Sequence, residues 1–118
     1  MSAALPQRID FLRIAMNLGG NRETISKMLD LFLKSIAASI EHLEAAERSS
    51  NVIIWLQTAH KIKGAAQNMT AQRLIMLCLE AEEIQSLPHS QSSSVLYNMS
   101  KELAILREMI NKHQQERR

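Results

Sequence analysis

An all-α fold, an antiparallel up-down-up-down four-helix bundle with a short additional N-terminal helix, is what this 118-residue chain predicts. Three observations carry that reading. Apolar residues recur at three/four spacing through four long stretches, the mark of helices with one buried face. Glycine, proline and aromatic residues are scarce while Met, Leu, Ile and Ala abound, which suits helices packed on helices and not a sheet. The stretches are joined by short connections, so consecutive helices must be antiparallel neighbours. At this length residues 1–118 are expected to form one domain. Its core is large enough to need neither disulfide nor metal.

The first helix is predicted over about Pro6 to Asn17. Pro6 suits a first-turn position, and Ile9, Leu12, Ile14 and Met16 supply apolar surface. Leu18-Gly19-Gly20-Asn21 stops it, because paired glycines tolerate the positive φ of a helix C-cap. Asn21 then caps a second helix, Arg22 to Arg48, with Glu23 and Thr24 in its first turn. Ile25, Leu29, Phe32, Ile36, Ile40 and Leu43 form its buried stripe; Met28, Leu31 and Leu33 lie off the stripe centre. Glu41, Glu44 and Glu47 read as a solvated face.

Ser49-Ser50-Asn51 breaks the pattern and supplies an N-cap for the third helix, Val52 to Asn68. Thr70 is expected to cap the fourth, about Ala71 to Ser86. There Leu74, Leu77, Cys78, Ala81 and Ile84 face inward, and Arg73, Glu80, Glu82 and Glu83 outward. Proline and the serine run in residues 87–94 read as a surface loop ending in an N-cap. The fifth helix, about Ser94 to Gln114, carries Leu96, Met99, Leu103, Leu106, Ile110 and His113 at three/four spacing. Residues 115–118 are expected to fray.

Composition narrows the function classes. Fourteen basic residues against twelve acidic ones give a net charge of +2, interspersed and without the clustered basic footprint of a nucleic-acid binder. No apolar run approaches the ~20 residues of a membrane span, and Pro6, Gln7, Arg8 and Asp10 interrupt any signal-peptide pattern. The single cysteine, Cys78, fits a reducing compartment and lies on an inward stripe, as an inert thiol would. A cytoplasmic protein that binds neither nucleic acid nor membrane is expected. His42, His60, His89 and His113 share no ligand spacing, and the Glu-x-x-His pairs of helical di-metal bundles are missing, so neither a metal nor a cofactor is expected in this chain. No phosphate loop, zincin motif or Ser/His/Asp signature occurs.

The third helix is the informative one. At about 100° per residue, His60, Lys63, Gly64 and Gln67 share one face. Trp55, Ala59, Ile62, Ala66 and Met69 form an apolar stripe centred roughly 130° away. The imidazole is therefore displayed, not buried. Lys63, one turn on, is placed to stabilise a phosphoryl group or other anion at His60. Gly64 removes side-chain bulk where a partner would approach, although glycine inside a helix costs about 1 kcal/mol relative to alanine. Gln67 adds an uncharged donor, and Lys61 lies further round the helix. A neutral ring nitrogen is a competent nucleophile toward activated phosphorus.

Ala59-His60-Lys61-Ile62-Lys63-Gly64-Ala65-Ala66 closely resembles the signature of histidine-containing phosphotransfer (HPt) domains, Ala-His-x-Leu/Ile-Lys-Gly-Ser/Ala-Ala. The likeness continues through Asn68, Met69, Ala71, Leu74 and Cys78. Upstream it takes in Asn51 at the usual Asp/Asn cap, and the Leu18-Gly19-Gly20-Asn21 turn followed by Leu29 and Phe32. It covers essentially the whole chain. Two residues depart from the pattern: Thr70 stands where glycine is common, and Gln67 where a small residue is common.

The resemblance implies that His60 is a phosphoacceptor, phosphorylated on Nε2, carrying a phosphoryl group between receiver domains of a multistep two-component phosphorelay. By the same likeness Lys63 stabilises the phosphoryl oxygens and Gly64 admits the receiver's loops. The receiver would supply the aspartate and Mg²⁺, so the chain is a carrier and not an enzyme. Docking is implied for Ile9, Leu12, Met16 and Met28, with Lys61 and Gln67 at the rim of the site. Receiver domains and a hybrid sensor kinase are the implied partners, and a monomer the implied state. A chain opening on Met1 and covering little beyond the bundle is expected to stand alone as a relay protein. The competing readings are a pseudo-HPt scaffold that binds a receiver without accepting phosphate, and a helical adaptor whose histidine is incidental.

Overall fold

The computed structural model describes residues 8–17, 19 and 21–116. Among them it contains five α-helices and no strand: α1 (Phe11–Asn17), α2 (Arg22–Arg48), α3 (Val52–Asn68), α4 (Gln72–Glu82) and α5 (Ser92–Glu116). α3 packs between α2 and α4, and α5 closes the ring by packing on both α2 and α4. Side-chain bonds fix the sense of that closure. Gln114 Nε2 donates to Ser26 Oγ at 2.9 Å, and the Ser92 hydroxyl donates to the Glu47 carboxylate. Opposite ends of α2 and α5 thus meet, as the up-down-up-down topology requires.

The core is the set of stripes read from the periodicity. Leu29, Phe32, Ile36, Ile40 and Leu43 of α2 are buried together with Trp55, Ala59, Ile62 and Ala66 of α3. Leu74, Leu77, Cys78 and Ala81 of α4 and Leu96, Met99, Leu103, Leu106 and Ile110 of α5 complete it. Ile25, at the start of the α2 stripe, is only half-buried, while Leu33 is buried.

Two helices end in the same way. The N–H of Asn51 bonds to the Ala46 carbonyl and that of Ser50 to Glu47; the N–H of Ala71 bonds to Ala66 and that of Thr70 to Gln67. These are paired Schellman turns, with Ser50 and Thr70 at φ of +53° and +54°. Asn21 and Asn51 cap α2 and α3 by accepting from the N–H groups of Thr24 (3.0 Å) and Ile54 (3.1 Å).

Several boundaries differ from expectation. α1 begins at Phe11, not near Pro6, because Asp10 caps it by accepting the Arg13 N–H at 3.1 Å. Pro6 itself, with Leu18 and Gly20 of the stop signal, lies outside the described residues. Thr70 does not cap α4. Its left-handed backbone is incompatible with an N-cap, and Ala71 holds that position without a side-chain bond. α4 ends at Glu82, earlier than Ser86. Its Ala81 carbonyl accepts the Trp55 indole N–H at 2.9 Å and the Ile84 N–H at 3.1 Å, which tightens the last turn. α5 begins two residues early, where Glu47 accepts from the Ser92 and Ser93 hydroxyls. Glu47 is therefore a tether between helices and not part of a solvated face.

Candidate functional site

α3 presents its two sides as the spacing predicts. Trp55, Ala59, Ile62 and Ala66 face the core, while His60, Lys61 and Gln67 are exposed. The His60 side chain is 75% exposed. One turn on, Gly64 opens onto free space: a Cβ added there would meet no atom within 4 Å. Internal packing therefore does not require the glycine.

Lys63 is not displayed beside His60. Its side chain is only 19% exposed and reaches across to α4, where Nζ lies 2.6 Å from Glu82 Oε1. Glu82 Oε2 stands 3.6 Å from His60 Nδ1, too far for a hydrogen bond but close enough for its charge to be felt. One carboxylate thus addresses both the lysine and the imidazole. Glu82 was expected to decorate the outside of α4; its side chain is instead 25% exposed and wedged against α3. Sequence reasoning missed it, although a signal existed. His60 and Glu82 lie at equal sequence distance from Ala71, so an antiparallel α3–α4 pair brings them level.

Beneath this pair lies Cys78, fully buried. Burial pushes its thiol up to about 12, the Glu82 carboxylate pushes the same way, and the Lys63 ammonium opposes both. Such a thiol stays protonated and inert. Among the described residues no three His, Cys, Asp or Glu side chains gather as a metal ion would require, and no helix is long and apolar enough to cross a membrane.

The apolar docking candidates divide. Leu12, Met16 and Met28 are exposed, and so is Leu31, which like Met28 lies off the centre of the α2 stripe. Ile9 is a correction: it is 6% exposed and belongs to the core, so no partner reaches it. Ile14, Asn17, Met28, Gln67, Asn68 and Met69 line a notch of about 340 Å³, which places Gln67 at the junction of the His60 face with α1 and α2. A larger cleft of about 890 Å³ lies between α1, the start of α2 and the end of α5. None of its lining residues comes from α3, so it stands apart from the histidine.

No curated protein matches the chain. Two solved structures resemble its fold. Histidine-containing phosphotransfer protein B (HptB) from Pseudomonas aeruginosa PAO1 superposes with a TM-score of 0.81 at 23% identity, covering 97% of this chain and 100% of that one. The HPT domain of an Hpt sensor hybrid histidine kinase from Shewanella superposes with a TM-score of 0.69 at 16% identity, covering 89% and 95%. The family model of the Hpt domain matches residues 27–116; with His60 on the exposed face of the bundle's third helix, the chain belongs to the Hpt domain family.

Proposed function

We propose that this protein is a phosphoryl carrier of a two-component phosphorelay, accepting a phosphoryl group on His60 from one receiver-domain aspartate and passing it to another. The observation that carries the reading is the exposed His60 imidazole beside the open space at Gly64, with Glu82 behind it. Glu82 faces Nδ1, which favours the proton on that nitrogen and leaves the Nε2 lone pair on the opposite edge of the ring. Attack by Nε2 on the phosphorus of an aspartyl phosphate forms the N–P bond. The P–O bond to the carboxylate breaks, and the carboxylate leaves with the electron pair. The ring, still protonated on Nδ1, becomes cationic, and the Glu82 carboxylate offsets that charge. Return to a second aspartate reverses each change.

Lys63 supplies a cation one turn from His60, released from Glu82 toward the phosphoryl oxygens once they arrive. Gly64 leaves room for the receiver's loops. Leu12, Met16 and Met28 form the apolar part of the docking surface, with Lys61 and Gln67 at its polar rim. Mg²⁺ and the aspartate belong to the receiver, so this chain carries the group without catalysing its transfer. A hybrid sensor kinase upstream, a cytoplasmic setting and a monomeric state complete the reading.

Incubation with a receiver domain phosphorylated on aspartate tests it. Label is expected on the wild-type chain in an acid-labile, alkali-stable form, and none on His60→Gln, whose thermal stability is unchanged because the side chain is exposed. Label that survives His60→Gln, or never appears on wild type while the receiver still binds, overturns the carrier reading in favour of a pseudo-HPt scaffold. Binding indifferent to His60, Lys63 and Gly64 would identify a helical adaptor.

A further inference from the structure

We propose that Thr70 is a positioning residue for receiver docking. Its hydroxyl ties the segment leading into α1 to the α3–α4 turn, and so fixes the α1 docking residues relative to the helix that carries His60. The inference rests on the carrier reading above.

The first observation is strain. Thr70 sits at φ +54°, a left-handed conformation that a β-branched residue avoids and glycine adopts freely. A Schellman turn favours glycine at this position, so threonine here works against the turn. A held outlier of this kind points to a use elsewhere.

The second observation supplies the use. Thr70 Oγ1 accepts the Asp10 backbone N–H at 2.9 Å while donating to the Met69 carbonyl at 2.6 Å. Asp10 in turn starts α1 through its carboxylate. One residue thus joins the turn below α3 to the first residue that shapes α1. The matching turn at the end of α2 has Ser50 in the same backbone conformation, and among the described residues its side chain joins nothing outside that turn. The cross-link is particular to Thr70.

The third observation is what the link spans. α1 has seven residues and fully buries only Ile14, with Phe11 packed on the core and stacked on His113 at 3.9 Å, so the Asp10–Thr70 bond is its tie to the α3–α4 turn and not to α5. The notch beside Gln67 is walled by α1 through Ile14 and Asn17, by α2 through Met28, and by the end of α3 and its cap through Gln67, Asn68 and Met69. The Asp10–Thr70 bond connects the first of these walls to the last. With the bond in place, exposed Leu12 and Met16 hold a fixed distance from the His60 face; without it, α1 keeps its Ile14 and Phe11 contacts but loses its tie to the α3–α4 turn.

The experiment compares Thr70→Gly, Thr70→Ser and Ser50→Gly with wild type, using a purified receiver domain chosen for its phosphoryl transfer to the wild-type chain. Thr70→Gly is expected to raise or preserve Tm, since it relieves the turn. It should also speed amide exchange at Asp10 and raise the half-saturating receiver concentration about three- to tenfold. The maximal transfer rate stays unchanged. Thr70→Ser keeps the hydroxyl and behaves as wild type. Ser50→Gly raises Tm without moving docking. A wild-type half-saturation in Thr70→Gly, or a defect in Thr70→Ser equal to that of Thr70→Gly, overturns the assignment. If no receiver transfers to the wild-type chain, the carrier reading fails first; a receiver that serves wild type and Thr70→Gly alike removes only the role of Thr70.

Discussion

Lys63 Nζ lies 2.6 Å from Glu82 Oε1, across the interface between the third and fourth helices, with both side chains largely enclosed. The pair makes two substitutions unequal. Lys63→Ala leaves a partly buried carboxylate without its cation and is expected to cost about 1–2 kcal/mol of stability. Glu82→Gln removes the charge that demands a partner and should cost about 1 kcal/mol or less. The double variant should recover part of the Lys63→Ala loss. All three should slow phosphoryl acceptance, Glu82→Gln by about tenfold through the loss of a charge facing Nδ1. Chemical denaturation and single-turnover labelling on the same samples check this; additive stability losses would mean that the pair is not coupled.

Gly64 offers a cleaner separation of folding from partner access. Gly64→Ala meets no atom within 4 Å and should stabilise the helix by about 1 kcal/mol, with little effect on transfer. Gly64→Gln should also stabilise, by somewhat less, while filling the gap beside His60 and lowering transfer by at least about tenfold, a loss of about 1.4 kcal/mol in the transition state. Unchanged transfer in Gly64→Gln would show that no partner approaches there.

The buried Cys78 thiol gives the fold an alkaline weakness. Its folded value is raised from 9.0 to about 12, chiefly by burial and further by Glu82. The stabilisation is therefore complete below 9.0 and is lost between there and about 12, where the unfolded chain ionises and the folded one does not. The slope is about 1.4 kcal/mol per pH unit. Denaturation midpoints of wild type and Cys78→Ala should converge as pH rises through this window. Parallel curves would show that the thiol ionises equally in both states.

Most of the bundle was legible because an amphipathic helix writes its buried face into the spacing of its apolar residues. The bounds of the second and third helices, the asparagine caps and the exposure of His60 follow from local sequence alone. What was not legible depends on contacts between helices. Glu82 looked like its neighbours Glu80 and Glu83 until the fourth helix was laid against the third. Glu47 looked solvated until the fifth helix brought Ser92 and Ser93 to it. Ile9 is apolar like Leu12 and Met16, and only the tertiary position of the segment leading into the first helix buries it. Thr70 read as a cap because capping propensity does not register which backbone conformation a turn imposes.

Trp55, Ala59, Ile62 and Ala66 are almost completely enclosed on the side of the third helix opposite its display face. The backbone under His60 is therefore anchored through the packing of the core. Its conformational freedom is surrendered at folding and not at encounter. A partner meets a target already in place, and little ordering entropy is charged to the complex. Variation at the rim, as at Gln67, can then alter which partner is accepted without loosening the atom that reacts.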